Sequence, residues 1–194
     1  MAVKSLSRSG LQSSDATNSM LAGYPGADFE LIQTVILSST IASIAFDVTK
    51  YVNVYKHLQV RLVGRGDAAS NYVNTGYRFN GSTSTYGIHE LYGAGSSATS
   101  GGGISVTEGS IGYIAGANAG ANIFGVSVMD IPDFASSNKN KTTKALTGLH
   151  GAGPLIDLRT GVWVSTDPIT LITIFPTSGN FVSGTRISLY GMRG

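Results

Sequence analysis

The chain has no cysteine, so disulfides and thiolate metal sites are excluded, and its stability has to come from an apolar core and from association. Charge is also scarce. Asp, Glu, Lys and Arg make up 12% of the residues, about half of the roughly 25% usual in globular chains. Surface polarity therefore falls to Ser, Thr, Asn and Gly, which suits a surface partly covered by neighbours or exposed to variable salt. The net charge of +2 is too small for general nucleic-acid binding. Its basic groups are clustered, with Lys4 and Arg8 ahead of Asp15 and a second group at Lys139, Lys141 and Lys144, and both clusters read most simply as solvated. No apolar run approaches the roughly 18 to 20 residues of a membrane span. The N-terminus lacks an apolar signal region, so the expectation is a chain made without an export signal and without a membrane partner.

What is present is β-pattern. At 194 residues the chain falls within the span of one all-β domain, which runs to about 200–250 residues. The clearest alternation places Leu58, Val60 and Leu62 on one face and Gln59 and Arg61 on the other, as in a half-buried strand. Residues 29–37 and 41–46, separated by Ser38-Ser39, read as a hairpin or strand pair. Further strands are expected at 75–80, 86–92, 111–114, 122–129, 143–149, 158–164, 169–175 and 181–190. Turn signals lie at Asn80-Gly81, Gly151 to Pro154, Asp167-Pro168 and Ser178-Gly179-Asn180. Roughly ten short strands with frequent turns predict an all-β fold, a single jelly-roll-like antiparallel β-sandwich over residues 29–194. Gly93 to Gly103 and Gly112 to Ala121 are too small-sided to build a core. They read as flexible loops, close backbone approaches, or loops that order on a partner. Residues 1–28 show no periodicity beyond a helical turn near 13–21 and read as an extended N-terminal arm.

Reactive chemistry is hard to assemble from this inventory. His57, His89 and His150 lie far apart in sequence with no zinc-site spacing, so no metal and no cofactor is expected. Asp130 and Asp133 could in principle hold calcium, but Asp-Ile-Pro-Asp reads more simply as a turn after a strand. No Gly-x-Ser-x-Gly elbow occurs. Gly93-Ala94-Gly95 is followed by more glycine rather than by the helix a dinucleotide site needs. Glu30, Glu90 and Glu108 sit in uncharged surroundings and read as solvent-facing or loop residues; a glycosidase would need two carboxylates close together in a cleft. Arg65-Gly66-Asp67 spells an adhesion tripeptide but reads as a polar turn. Asn80-Gly81-Ser82 and Asn140-Lys141-Thr142 match glycosylation sequons without an export signal. Tyr72, Tyr77, Tyr86, Tyr92 and Trp163 are candidate ligand or interface aromatics, a platform for sugar stacking, although a lone Trp between Val162 and Val164 fits a core or interface anchor better. No catalytic residue is assigned.

The order of motifs resembles a family of small bacteriophage virion structural proteins, common among phages of aquatic bacteria including cyanophages. The resemblance rests on Ser19-Met20-Leu21-Ala22-Gly23, then Phe29-Glu30-Leu31-Ile32, Tyr55-Lys56-His57-Leu58-Gln59-Val60-Arg61 and Tyr77-Arg78-Phe79-Asn80-Gly81. Toward the end come Gly161-Val162-Trp163, Ser178-Gly179-Asn180-Phe181 and Ser188-Leu189-Tyr190-Gly191. The match covers nearly the whole chain, and its motifs are scaffold motifs. It implies a non-enzymatic role as a capsid decoration (cement) protein or the head domain of a tail fibre, located on the particle surface after synthesis in the host cytoplasm. It also implies partners: itself as a homotrimer, and the major capsid protein or other virion proteins. A fibre normally needs a shaft, and no heptads or β-helical repeats occur, so decoration is the preferred expectation. The alternative is a tail- or fibre-associated receptor-binding module that recognises host surface glycans. The arm's Lys4, Leu6, Arg8, Leu11, Met20, Leu21 and Tyr24 are the expected anchoring residues, laying apolar groups into grooves on a neighbour.

Overall fold

The computed structural model describes residues 29–151 and 153–194. The arm's Lys4, Leu6, Arg8, Leu11, Met20, Leu21 and Tyr24 and the helical turn expected near 13–21 lie outside the described residues.

Among the described residues, twelve strands, where about ten were expected, form two antiparallel sheets packed as a sandwich. They are β1 (Phe29–Ile36), β2 (Ile44–Asp47), β3 (His57–Gly64), β4 (Tyr72–Phe79), β5 (Tyr86–Ala94), β6 (Ser97–Val106), β7 (Gly109–Ala115), β8 (Gly125–Ile131), β9 (Lys141–His150), β10 (Pro154–Trp163), β11 (Leu171–Pro176) and β12 (Arg186–Met192). The larger sheet has eight strands in the order β1-β12-β3-β8-β9-β10-β5-β6, and the smaller has four, β2-β11-β4-β7. Short 3-10 turns occur at Thr49–Tyr51 and Ala117–Ala119.

Alternation decides which residues form the core. On β3, Leu58, Val60 and Leu62 are buried, and from the facing sheet Val73, Tyr77 and Phe79 of β4 and Ile172 and Ile174 of β11 meet them. Each such side chain stabilises the fold by about 1.5–3 kcal/mol through its removal from water. Tyr77, Phe79, Tyr86 and Trp163 form an aromatic cluster with edge-on, tilted and stacked ring pairs. The Tyr77 hydroxyl crosses the sandwich to the Thr143 hydroxyl at 2.8 Å. Its ring fits because residue 109 is glycine; a Cβ there would overlap it. Asn80 and Gly81 take φ +52 and +72, the successive positive values of a tight primed turn, closed by Ser82 N donating to Phe79 O at 2.9 Å.

The structure corrects two readings of the sequence. Residues 29–37 and 41–46 do not pair: β1 lies against β12 in the large sheet, while β2 lies against β11 in the small one, the chain crossing between layers at Ser38–Ser43. The Gly-rich segment 93–103 is not a loop but the β5–β6 hairpin, turning at Gly95 with φ +59. Its glycines are required by closeness, since a Cβ on Gly101 would sit 2.9 Å from Glu90 Oε1 and one on Gly102 would sit 2.8 Å from the Ile88 carbonyl. Gly112 is a close approach as well: at φ +129 it faces Thr147, whose hydroxyl occupies the space a side chain would need.

Candidate functional site

The usual rule of apolar in and polar out is broken in the middle of β9 and β10. On β10 the inward residues are Leu155, Asp157, Arg159, Gly161 and Trp163, while Ile156 and Leu158 point to solvent. The strand's parity is decided by Leu155 and Trp163, which are buried, and by Gly161, where a Cβ would crowd both Thr143 Oγ1 and Tyr77 Oη at 2.6 Å. Because strand periodicity is two, Asp157 and Arg159 must then face the interior and Ile156 and Leu158 must face out.

The interior copes with this through a polar network, in which Asp157 Oδ1 alone of the two carboxylate oxygens is left without a hydrogen-bond partner. Arg159 Nε donates to Asp157 Oδ2 at 2.6 Å, and Nη2 makes an ion pair with Glu90 Oε2 at 2.5 Å. Nη1 donates to Asn74 Oδ1 at 3.0 Å and to Ser110 Oγ, and the guanidinium lies 4.6 Å from the centre of the Tyr113 ring. Burial pushes the Asp157 carboxyl up from its ordinary value, against the lowering effect of its bond to Arg159. Burial likewise raises the Tyr113 hydroxyl. Asp157 is fully buried and Arg159 only 3% exposed, so this carboxylate–guanidinium cluster is closed to a substrate and ties the two sheets together.

On the opposite side, the outward residues form rows across the large sheet. One row runs Arg61, Val128, Leu146, Leu158, Leu91 and Ser100 through β3, β8, β9, β10, β5 and β6. The next runs Val63, Val126, Gly148, Ile156, Gly93 and Ala98 along the same strands. Val126, Leu146, Ile156 and Leu91 are 50–61% exposed, with Val128 and Leu158 close behind. A groove of about 250 Å³ lies among Val126, Val128, Leu146 and Ile156. The row on the other flank is polar: Gln59 Nε2 donates to Asp130 Oδ1 at 2.8 Å, and Lys144 pairs with Asp130 at 3.3 Å. A contiguous apolar patch with a polar rim is the surface pattern of a contact site.

The aromatics named from sequence divide. Tyr77, Tyr86 and Trp163 are buried within the chain, so they offer no face to a sugar or a partner and are core residues, contrary to the platform reading. Their signal was spacing inside strands, which places them inward with Phe79. Tyr72 and Tyr92 are half-buried around a small satellite cluster with Tyr113 and Ile123. An aromatic pair the sequence reading missed lies outside: Phe29 stacks on Tyr190 at 4.7 Å, with the Arg61 guanidinium about 5 Å from both rings.

The acidic residues are paired rather than free. Glu30 accepts from the Tyr55 hydroxyl at 2.5 Å and pairs with Arg193, Glu108 pairs with Arg78 at 3.0 Å, and Glu90 joins Arg159. Asp130 and Asp133 have separate partners, the latter binding Lys139 at 2.6 Å, which holds its carboxyl below the ordinary value. Among the described residues no group of three His, Asp or Glu could hold a metal. The Arg65-Gly66-Asp67 tripeptide is committed internally. Arg65 donates to the carbonyls of Ala117, Gly120 and Ile123, and Asp67 accepts from the Asn180 backbone at 2.7 Å and its side-chain amide at 3.0 Å. A cleft of about 760 Å³ at one end of the sandwich is bordered by Lys56, Lys139 and Arg193, two of which already hold carboxylates. Comparisons with family models, with curated proteins and with solved structures find no match.

Proposed function

We propose that the chain is a non-enzymatic structural protein of a bacteriophage virion, a capsid decoration protein that braces the shell through the outer face of its large sheet and through residues 1–28. The observation that carries this reading is the pair of outward rows, Val126, Val128, Leu146, Ile156, Leu158 and Leu91. An isolated subunit gains nothing from leaving them in water, whereas each one covered by a neighbour contributes about 1.5–3 kcal/mol at most. Low surface charge fits the same role, because few ions need be stripped of water when the face is covered. The motifs that resemble phage virion proteins supply the partners: the major capsid protein, and sister subunits in a three-fold arrangement on the particle surface.

The alternative, a tail-associated module for host glycans, retains Tyr72, Tyr92 and the exposed Phe29–Tyr190 stack but loses its three buried aromatics. The deciding experiment places Leu146→Lys with Leu158→Lys in the phage and counts copies on purified particles by cryo-electron microscopy. The wild-type chain is expected in many copies on the shell at symmetry axes, and the double variant, folded normally, is expected to be missing. A handful of copies at the tail, or undiminished incorporation of the variant, overturns the proposal.

A further inference from the structure

The two open sheets have four edge strands, and three of them are blunted. β1 carries a bulge between Leu31 and Gln33 and the charged Glu30; β2 is four residues long and ends in Asp47; β7 is buried along almost its whole length. These are the devices by which proteins keep strand edges from pairing with other chains. β6 has none of them over most of its length. It runs ten residues, Ser97–Val106, without a charge or a proline, its bulge lies only at the far end opposite Tyr86/Gly87, and it is largely exposed, Ile104 being 89% exposed. One side of its backbone pairs with β5, and the other presents N–H and C=O groups that no described strand meets.

We propose that β6 pairs with β6 of a second copy of this chain, antiparallel about a two-fold axis perpendicular to the sheet, joining two eight-stranded sheets into one of sixteen. This inference concerns the chain itself and does not depend on where it functions. An already extended strand loses little conformational entropy on docking, which favours β6 over an unstructured partner. The chain's own residues 1–28 have no apolar–polar alternation to match an edge. Self-pairing also meets no like-charge repulsion, because neither edge carries a charge. The two-fold keeps both outer faces on the same side, so the outward rows that reach β6 at Ser100 and Ala98 continue into those of the second copy. Ten residues from each chain are fewer than the roughly 20–30 a side of a standard interface, so the pair dissociates on dilution. The contact is isologous and links subunits in twos; any three-fold association uses other surfaces.

The absence of cysteine makes the test direct. The full chain is followed by sedimentation velocity from about 1 to 100 µM, the range in which weak pairs form. It is then compared with Ala98→Lys plus Ser100→Lys, two exposed positions whose substitution leaves the core untouched. The wild type is expected to pass from monomer to dimer, and the lysine variant, with unchanged circular dichroism, to need at least tenfold higher concentration. Single cysteines at Ala98, Ser100 and Ile104 are oxidised beside a Thr142→Cys control on β9. One β6 position, the nearest to the axis, is expected to form disulfide-linked dimers at least fivefold above that control. A monomer at every concentration, an oligomer indifferent to the lysines, or β6 cysteines no more reactive than the control each overturns the pairing.

Discussion

The two halves of the large sheet obey opposite rules. Around β3 and β12 the interior is aliphatic, with Leu58, Val60, Leu62, Ile187 and Leu189 buried and Gln59, Arg61 and Arg186 outward. Around β9 and β10 the interior holds Thr147, Asp157 and Arg159, and Leu146, Ile156 and Leu158 are outside. The first half is built as an isolated domain would be. The second trades apolar burial within the chain for a polar network inside and an apolar face outside, which makes sense when that face is covered by another molecule. The difference sets the outer face of β9 and β10 apart from the rest of the sheet, and the proposed contact rests on it.

The comparison can be broken most severely at Arg159. Replacing it with Met strands Asp157 as a buried, unpartnered carboxylate and is expected to cost about 3–5 kcal/mol in urea unfolding. A loss under 1 kcal/mol would mean that water reaches the network. In the aliphatic half, Leu62→Ala is expected to cost about 2–5 kcal/mol, the transfer loss plus a cavity, in the same assay.

The network also has a pH signature. Because burial raises the folded-state value of Asp157 above its unfolded one, the folded chain binds the proton more tightly. The stabilisation from that proton is present at low pH and declines as pH rises from the ordinary carboxylate value through the raised one. Asp157→Asn removes this term. Its unfolding free energy relative to wild type should therefore climb with pH across that window, and a flat difference would show that the carboxyl is not raised.

The smallest effect on folding is expected where the outer face is altered. Ile156→Thr should change the stability of the isolated chain by no more than about 0.5 kcal/mol, because the residue is 61% exposed and Thr keeps its β-branch. A loss above 2 kcal/mol would show that the face is covered within the chain itself.

Reading the sequence as strands worked where alternation was unambiguous, as at Leu58-Gln59-Val60-Arg61-Leu62. It worked at the turns too, where Asn80-Gly81 and Gly179 take the positive φ their residue types favour. At Gly101-Gly102-Gly103 it left loop and close backbone approach open, and the structure takes the close approach, inside a strand with Glu90 and Ile88 beside it. It failed for Glu30, Glu90 and Glu108, whose partners Arg193, Arg159 and Arg78 are 163, 69 and 30 residues away along the chain. The outer face was illegible for a related reason. In Leu155-Ile156-Asp157-Leu158-Arg159, three apolar residues alternate imperfectly with two charges, and either parity could face the core.

By composition and spacing alone the chain was committed to an all-β domain without cysteine chemistry, carrying little charge and turning at predictable residues. Tertiary structure alone decided which side of β9 and β10 faces inward, which edge no described strand meets, and which aromatics are core. The physical reason is that strand periodicity is two: one fixed contact, such as Trp163 against Phe79 of the facing sheet, assigns every residue of a strand to a face. That contact exists only after the sheets have met.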